Sequence, residues 1–191
     1  MPRNNHLQIT LATSVNDPIL GLALVLGDRK IVPYVPTRDR LIPRILDELA
    51  LGPDDVFYDI GCGDGRIAVY AALHYDVRKS ICIEIDKYLA EEALKRSILE
   101  GVAERVSVIN ADFKEINVSD ATAVYMYLLT SVNELLRPKL EQELEPGTRV
   151  AALDFPVPGW RPSKVVGLDK YSNKTLYLYM IGSQYLENEE G

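Results

Sequence analysis

Residues 56–73 read VFYDIGCGDGRIAVYAAL. A short apolar run is followed by a turn with glycine at every second position, at Gly61, Gly63 and Gly65, and then by a segment with helical character. A strand, a glycine turn and a helix in this order are typical of nucleotide-type cofactor sites, because glycine lets the backbone turn tightly and approach a ligand. The stretch therefore predicts an α/β protein with a cofactor at the carboxyl edge of its sheet.

The acid beside this turn narrows the choice of cofactor. A dinucleotide fingerprint requires a third glycine at the position of Arg66, and this chain places a carboxylate, Asp59, ahead of the first glycine. At short range that carboxylate would repel a pyrophosphate and attract a cation. S-adenosylmethionine carries an ammonium group, a sulfonium and no phosphate. The sequence therefore favours S-adenosylmethionine over NAD or FAD.

From residue 55 onward, strand patterns alternate with helical patterns. The predicted strands cover residues 56–60, 80–85, 106–110, 121–127 and 148–155, the predicted helices cover 67–74, 87–100 and 132–144, and a hairpin covers 164–168 and 175–181. This alternation predicts a doubly wound, mostly parallel sheet with a terminal antiparallel hairpin strand. Ahead of it, Thr37 is predicted as the N-cap of a helix that runs to Ala50, with a kink or a later start at Pro43.

The domain prediction is an N-terminal extension over residues 1–30, a cofactor-binding domain over 31–185 and a frayed acidic tail over 186–191. The longest apolar run, residues 19–27, is shorter than the roughly 20 residues that a membrane-spanning helix needs. We expect it to form a short helix that packs on the domain or contacts a partner. A cytoplasmic protein without membrane association is therefore expected.

The composition limits the classes of partner that the protein is expected to bind. The 191 residues carry a formal net charge of −7, which argues against a large nucleic-acid footprint and suits a basic protein partner. Cys62 and Cys82 lie in the glycine turn and in the next strand, where a parallel sheet could bring them together. Two reduced thiols are the expectation, with a disulfide as the alternative. No spacing of metal ligands is present, so no metal is expected.

Polar side chains at successive strand ends complete the predicted cofactor site. Ligands of open α/β sheets bind at the carboxyl ends of the strands. Glu84, after the second strand, is placed to accept hydrogen bonds from both ribose hydroxyls, and Asp112, after the third, is placed to accept one from the adenine amino group. Phe113 or Ile85 would flank the adenine ring. The fourth strand ends at Tyr127, next to the expected position of the methyl group.

Several stretches resemble a known family, the crenarchaeal protein lysine methyltransferases. The similar stretches are PYVPT (33–37), YDIGCGDGR (58–66), LLTSVNELLRPKL (128–140), PGTRV (146–150), Gly159-Trp160 and LYLYMIG (176–182). The chain is more faintly similar to the mitochondrial lysine methyltransferases of the ATP synthase c subunit and the adenine nucleotide translocase. Two features depart from the family pattern, namely residues 1–30 and Tyr127 in place of a phenylalanine.

The resemblance implies a seven-stranded, Rossmann-like sheet and methyl transfer to lysine ε-amino groups of several proteins, including small chromatin proteins. It also implies cofactor contacts at Asp59, the glycine turn, Glu84 and Asp112. Tyr34 and Thr37 would belong to a segment that closes over the cofactor.

The acceptor amine has an ordinary pKa near ~10.4 and must lose a proton before it reacts. An aromatic channel would lower that pKa by removing water, and Tyr34, Tyr125 and Tyr127 are the candidates to line it. Tyr125 and Tyr127 are thus the predicted catalytic residues, and no general base is assigned. Two alternatives stay open at this point: methylation of a small molecule or RNA, and cofactor binding without catalysis.

Overall fold

Seven strands form the sheet that carries the predicted site. The computed structural model describes residues 25–26, 29–30, 34–170 and 173–185. The strands are β1 (Val56–Ile60), β2 (Lys79–Glu84), β3 (Val106–Asn110), β4 (Ala123–Met126), β5 (Arg149–Leu153), β6 (Lys164–Gly167) and β7 (Thr175–Met180). Their order is β3-β2-β1-β4-β5-β7-β6; the first five strands along the chain pair in parallel, and β7 is antiparallel to β5 and β6. The predicted fold class is confirmed.

The helices on the two faces are α1 (Ile42–Glu48), α2 (Arg66–His74), α3 (Lys87–Leu99) and α4 (Thr130–Glu143). The last three occupy the predicted segments, with small shifts at their ends. Pro138 lies inside α4. The helix continues through it, as predicted.

The first helix begins later than Thr37 and is not capped by it. A 3-10 turn, Asp39–Leu41, precedes α1, and Pro43 lies in the first turn of α1, where its missing N–H leaves no bond unmade. The Thr37 hydroxyl instead forms a 2.9 Å hydrogen bond with the Tyr125 hydroxyl on β4. The predicted N-cap is therefore wrong, because a partner distant in sequence takes the hydroxyl that would have capped the helix.

Residues 1–35 and 36–191 form two compact units. The boundary predicted after residue 30 stays a prediction. In the first unit, Val25–Leu26 pairs antiparallel with Arg29–Lys30, so this part of the helix predicted over 19–27 is a strand. The rest of that helix and the tail from residue 186 lie outside the described residues. Within the described part of the chain, no helix has the length and hydropathy needed to cross a membrane.

Both faces of β1 are covered, and all five of its residues are buried, as is usual for a central parallel strand. The register pairs Asp59 with Cys82 on β2 and with Tyr125 on β4. Because the carboxyl ends of parallel strands meet at one edge, the glycine turn, Glu84 and Tyr127 assemble at the same edge of the sheet.

Candidate active site

The glycine turn after β1 folds back over the end of β2. The backbone N–H groups of Gly61 and Cys62 both donate to the Ile83 carbonyl, at 2.9 and 3.1 Å. Gly61 and Gly65 have φ values of 71° and 73°, in the left-handed region that favours glycine. A Cβ atom at Gly65 would lie 2.7 Å from Cβ of Ala93 on α3. The turn therefore needs glycine here both for its backbone shape and for its close approach to α3.

Asp59 is a buried carboxylate that is only partly satisfied. Its side chain is 2% exposed, and its Oδ2 atom has no hydrogen-bond partner among the described residues. Burial raises the pKa of Asp59 well above its usual range, and the nearby charges of Glu84 and Asp64 raise it further, although a backbone hydrogen bond from Ala68 opposes them. An ammonium group would supply both the missing donor and the missing charge, so this residue fits the amino group of S-adenosylmethionine.

Glu84 ties the end of β2 to the glycine turn. Its Oε2 atom accepts from the Gly63 N–H at 2.8 Å, and its Oε1 atom accepts from the Asp86 N–H at 2.9 Å. Each carboxylate oxygen has a second lone pair, so both can still accept from the ribose hydroxyls. The sequence predicted the ribose role and missed this structural one, which presets the turn before any ligand binds.

The three residues predicted at the adenine end differ in their surroundings. Asp112 is partly exposed, and its Oδ1 atom accepts from the Lys114 N–H at 3.0 Å. Ile85 is 67% exposed and can cover a ligand ring. Phe113 is buried in the main hydrophobic core, with the Lys139 ammonium 5.6 Å from its ring centroid. Of the two apolar candidates, Ile85 is the one that presents a free surface.

Tyr125 lies in β4, directly beside Asp59 of β1. Its ring is buried, and its hydroxyl bonds to Thr37. Burial raises the pKa of Tyr125 well above its usual value, the hydrogen bond to Thr37 lowers it, and the charges of Asp59, Tyr127 and Asp154 raise it. A tyrosine in this position keeps its proton at neutral pH and cannot serve as a general base.

Tyr127 belongs to a polar cluster that the sequence did not predict. The Lys174 ammonium donates to the Tyr127 hydroxyl at 2.7 Å and forms an ion pair with Asp154. The Tyr127 hydroxyl in turn lies 3.1 Å from Oδ2 of Asp154. The ring of Tyr127 stacks on Phe155 with centroids 6.1 Å apart. The signal in the sequence was the position of Asp154, directly after the fifth strand, at the same edge as the other acids.

Other residues weighed for function have structural partners. The Asp64 carboxylate accepts from Arg66 on one side and from Arg96 on the other, at 2.8 and 2.7 Å to the same oxygen. Arg66 is thus an ion-pair residue. Trp160 is buried in the core, and its indole N–H donates to Glu141 at 2.7 Å.

Tyr34 belongs to the unit of residues 1–35 and is 41% exposed. Its role as a lid stays a prediction. Among the described residues, no group of three or more His, Cys, Asp or Glu side chains is arranged to hold a metal ion.

Cys62 and Cys82 are joined by a disulfide, with Cα atoms 5.3 Å apart. The expectation of two reduced thiols is wrong. The physical reason is the turn itself, because its bonds to the Ile83 carbonyl fold Cys62 back over β2 next to Cys82. The disulfide therefore fastens the cofactor turn to the neighbouring strand.

Comparison with known proteins identifies the family. The sequence profile described as the ANTKMT methyltransferase domain matches residues 59–164, which begin at the acid of the cofactor site and span more than half of the chain. The chain belongs to the ANTKMT methyltransferase family. The family resemblance predicted from the motifs is thereby confirmed.

Individual relatives of this ANTKMT family member agree with that assignment. A protein-lysine N-methyltransferase of Saccharolobus islandicus is 46% identical over 152 residues, which are 79% of this chain and 94% of that protein. The mouse adenine nucleotide translocase lysine N-methyltransferase is 34% identical over 154 residues, which are 78% of this chain and 66% of the mouse protein.

One solved structure is also similar in sequence. It is described as an RNA methyltransferase from Salinibacter ruber in complex with S-adenosyl-L-homocysteine, is 38% identical and has a TM-score of 0.75, and the match covers 82% of this chain and 100% of that one. The ANTKMT family member is thus a methyltransferase, and the predicted cofactor, S-adenosylmethionine, is confirmed.

Proposed function

We propose that the protein transfers methyl groups from S-adenosylmethionine to the ε-amino groups of lysine residues in other proteins. The observation that carries the proposal is the buried Asp59 carboxylate, one oxygen of which has no hydrogen-bond partner among the described residues, at the same sheet edge as Tyr127. The archaeal and mouse relatives, at 46% and 34% identity, are both named as lysine methyltransferases and support a lysine acceptor.

On the cofactor side, each residue contacts a different part of S-adenosylmethionine. S-adenosylmethionine, when bound, supplies an electrophilic methyl group on its sulfonium. Asp59 binds the ammonium group and gains the partner that it lacks, which lowers the cost of its burial. Glu84 accepts from the ribose hydroxyls while it holds the turn. Asp112 accepts a hydrogen bond from the adenine amino group, and Ile85 packs against the face of the adenine ring.

On the acceptor side, the protein aligns a neutral amine. Tyr127 borders the channel, and Tyr125, oriented by Thr37, supports it from below. Removing water from the amine lowers its pKa, so that the proton leaves before the nitrogen attacks. Tyr125 keeps its own proton, so we assign no general base and let water carry the proton away. Alignment of the two reacting groups is then the main catalytic effect.

The preferred substrates are basic proteins, with small chromatin proteins as candidates, in the cytoplasm. The net charge of −7 supports this choice because an acidic surface attracts lysine-rich partners. The same charge disfavours RNA, although the similar Salinibacter ruber structure is described as an RNA methyltransferase. An RNA acceptor is therefore the alternative that the experiment must separate.

The test uses labelled S-adenosylmethionine and a lysate of the source organism, fractionated into protein, RNA and small molecules. The control is the Asp59→Ala variant, with thermal unfolding to verify its fold. We expect label in protein, mapped to lysine by mass spectrometry and absent with the variant. Label only in RNA or small molecules would overturn the lysine assignment. Cofactor binding without label in any fraction would favour a non-catalytic protein.

A further inference from the structure

The cluster of Tyr127, Asp154 and Lys174 surrounds an ammonium group on three sides. The Lys174 ammonium meets the Asp154 carboxylate, meets the Tyr127 hydroxyl at 2.7 Å, and lies 5.1 Å from the centroid of the Tyr127 ring. A carboxylate, a hydroxyl and an aromatic face are the groups by which proteins recognise alkylammonium ligands. The cluster is thus a ready-made binding site for the end of a lysine side chain, at present filled by a lysine of the same chain.

The position of the cluster connects it to the cofactor acid. Tyr127 directly follows β4, and Asp154 directly follows the neighbouring strand β5. The charges of both Asp59 and Asp154 contribute to raising the pKa of the buried Tyr125 hydroxyl, so both carboxylates lie near it. One carboxylate fits the ammonium group of the cofactor, and the other faces the adjacent space at the same edge. An acceptor lysine bound by Asp154 would therefore approach the site from the side where the methyl group is expected.

The backbone of Asp154 adopts a left-handed conformation that orients its carboxylate. Its φ of 61° lies in the left-handed region, which is uncommon for residues other than glycine. Its N–H donates to the Thr175 carbonyl at 2.7 Å, and its Oδ1 atom accepts from the Thr175 N–H at 3.1 Å. These two bonds fix the carboxylate so that Oδ2 faces Tyr127 and Lys174.

Lys174 is placed so that it can leave. It lies in the connection between β6 and β7, and its side chain is 25% exposed. Arg149, which pairs with Asp55, offers a contrast because its guanidinium also donates to the Leu49 and Ala50 carbonyls, both at 2.7 Å. The Arg149 pair therefore joins several parts of the fold, whereas the Lys174 ammonium belongs to a loop residue and bonds only to the Asp154 and Tyr127 side chains among the described residues.

We propose that Asp154 and Tyr127 form the subsite that first binds the acceptor lysine as an ammonium ion, and that Lys174 occupies this subsite until a substrate lysine displaces it. The bound ammonium gives its proton to water as it leaves Asp154 and moves toward the methyl group, where removal of water lowers its pKa. The inference rests on lysine methylation as the proposed function and names the residues that recognise the acceptor. Because Lys174 competes with the substrate, the apparent affinity for the acceptor is reduced by the fraction of molecules in which the subsite is filled.

The test uses a peptide around a lysine found labelled in the lysate experiment, with initial rates measured at saturating cofactor. Lys174→Met removes the competitor, and we expect a KM for the peptide about fivefold lower with kcat little changed. Lys174→Arg keeps the ion pair and should keep a KM near that of the wild type. Asp154→Asn should raise the KM at least about tenfold without changing the cofactor Kd. Lys164→Met, which breaks the exposed pair with Glu48, is the matched control and should change none of these values.

A second readout does not depend on turnover. In protein with ¹³C-labelled lysine, the Lys174 signal is assigned by its loss in Lys174→Arg and followed while the peptide is added together with S-adenosylhomocysteine. Burial lowers the pKa of Lys174, but the bonds to Asp154 and Tyr127 outweigh it and raise the pKa overall. Displacement should return that pKa toward its ordinary value. A folded Lys174→Met variant with an unchanged or higher KM, or a Lys174 signal unmoved at peptide concentrations above KM, would overturn the inference. Absence of lysine methylation by the wild type would instead refute the proposed function.

Discussion

Replacing Asp59 by asparagine should make the ligand-free protein more stable and its cofactor binding weaker. The Oδ2 atom of Asp59 is buried and has no hydrogen-bond partner in the part of the chain that the structure describes, whereas the other oxygen can keep its bond to the Ala68 N–H as an amide oxygen. A buried unsatisfied polar group costs about 1–3 kcal/mol, and more when it is charged. The amide nitrogen of asparagine takes the place of Oδ2 and still has no partner among the described residues, so the gain comes only from removal of the charge and of its repulsion from Glu84 and Asp64. We expect about 1 kcal/mol of added stability, and each kcal/mol shifts the Tm of a chain of this length by about 2–4 °C.

The gain in stability from Asp59→Asn should depend on pH. Because the folded-state pKa of Asp59 is raised, its protonated form stabilises the fold; that stabilisation is complete below the unfolded pKa of about 3.9 and is lost as the pH rises through the raised folded value. The Tm difference between Asp59→Asn and the wild type should thus close in acid and widen as the pH rises through the raised pKa of folded Asp59.

Bound cofactor should stabilise the wild type more than the Asp59→Asn variant. At a hundred times its Kd, S-adenosylmethionine stabilises the wild type by about 2.7 kcal/mol. Loss of a buried charge partner should cost the variant at least about 2 kcal/mol of binding, or roughly 30-fold in affinity. Differential scanning calorimetry with and without cofactor measures both effects.

The control is Asp55→Asn, a buried acid that is paired with Arg149 and Thr122. It should lower Tm and leave the cofactor Kd unchanged. An Asp59→Asn protein with the Tm and the cofactor affinity of the wild type would refute the reasoning.

Three further predictions concern the cofactor turn. Glu84→Ala should leave two backbone N–H groups without acceptors, at about 1–3 kcal/mol each, and weaken cofactor binding at least about tenfold; an unchanged Tm would contradict the role of Glu84 in the turn. Gly61→Ala should lose about 1–2 kcal/mol for its positive φ, and more because its Cβ would lie 2.8 Å from Cδ2 of Leu128, so equal denaturation midpoints would contradict the assigned geometry. Reduction of the Cys62–Cys82 disulfide should lower the free energy of unfolding by about 3 kcal/mol for a sequence separation of 20, as measured by denaturation with and without a reductant; identical curves would mean that the thiols are not joined.

The features that the sequence predicted well are local ones. The glycine turn, the strand before it and the helix after it follow from neighbouring residues, and the alternation of strands and helices leaves few topologies open. The acids at the strand ends could be ordered along the edge of the sheet because parallel strands share their direction. For this reason the places of Asp59 and Glu84 at the edge of the sheet follow from the sequence.

The features that the sequence did not predict depend on residues far apart in the chain. Thr37 has the side chain of a good N-cap, and only the approach of Tyr125 redirects its hydroxyl. Phe113 could have faced either the ligand or the core, because it begins a short 3-10 turn after β3 and the sequence does not fix the direction of its side chain there. Lys174 reaches Asp154 only because the last strand of the hairpin inserts next to β5. No local pattern encodes such a meeting.

The insertion of β7 between β5 and β6 also determines when the sheet can be completed during synthesis on the ribosome. β1 to β5 are adjacent to one another and complete the cofactor edge as soon as they have been synthesised, but β5 gains its outer neighbour only after residue 180 has emerged. Thr175, which anchors Asp154, arrives with that strand. A nascent chain can therefore form its cofactor turn before β7 arrives with Thr175 and completes the surroundings of Asp154, the residue proposed to bind the acceptor lysine.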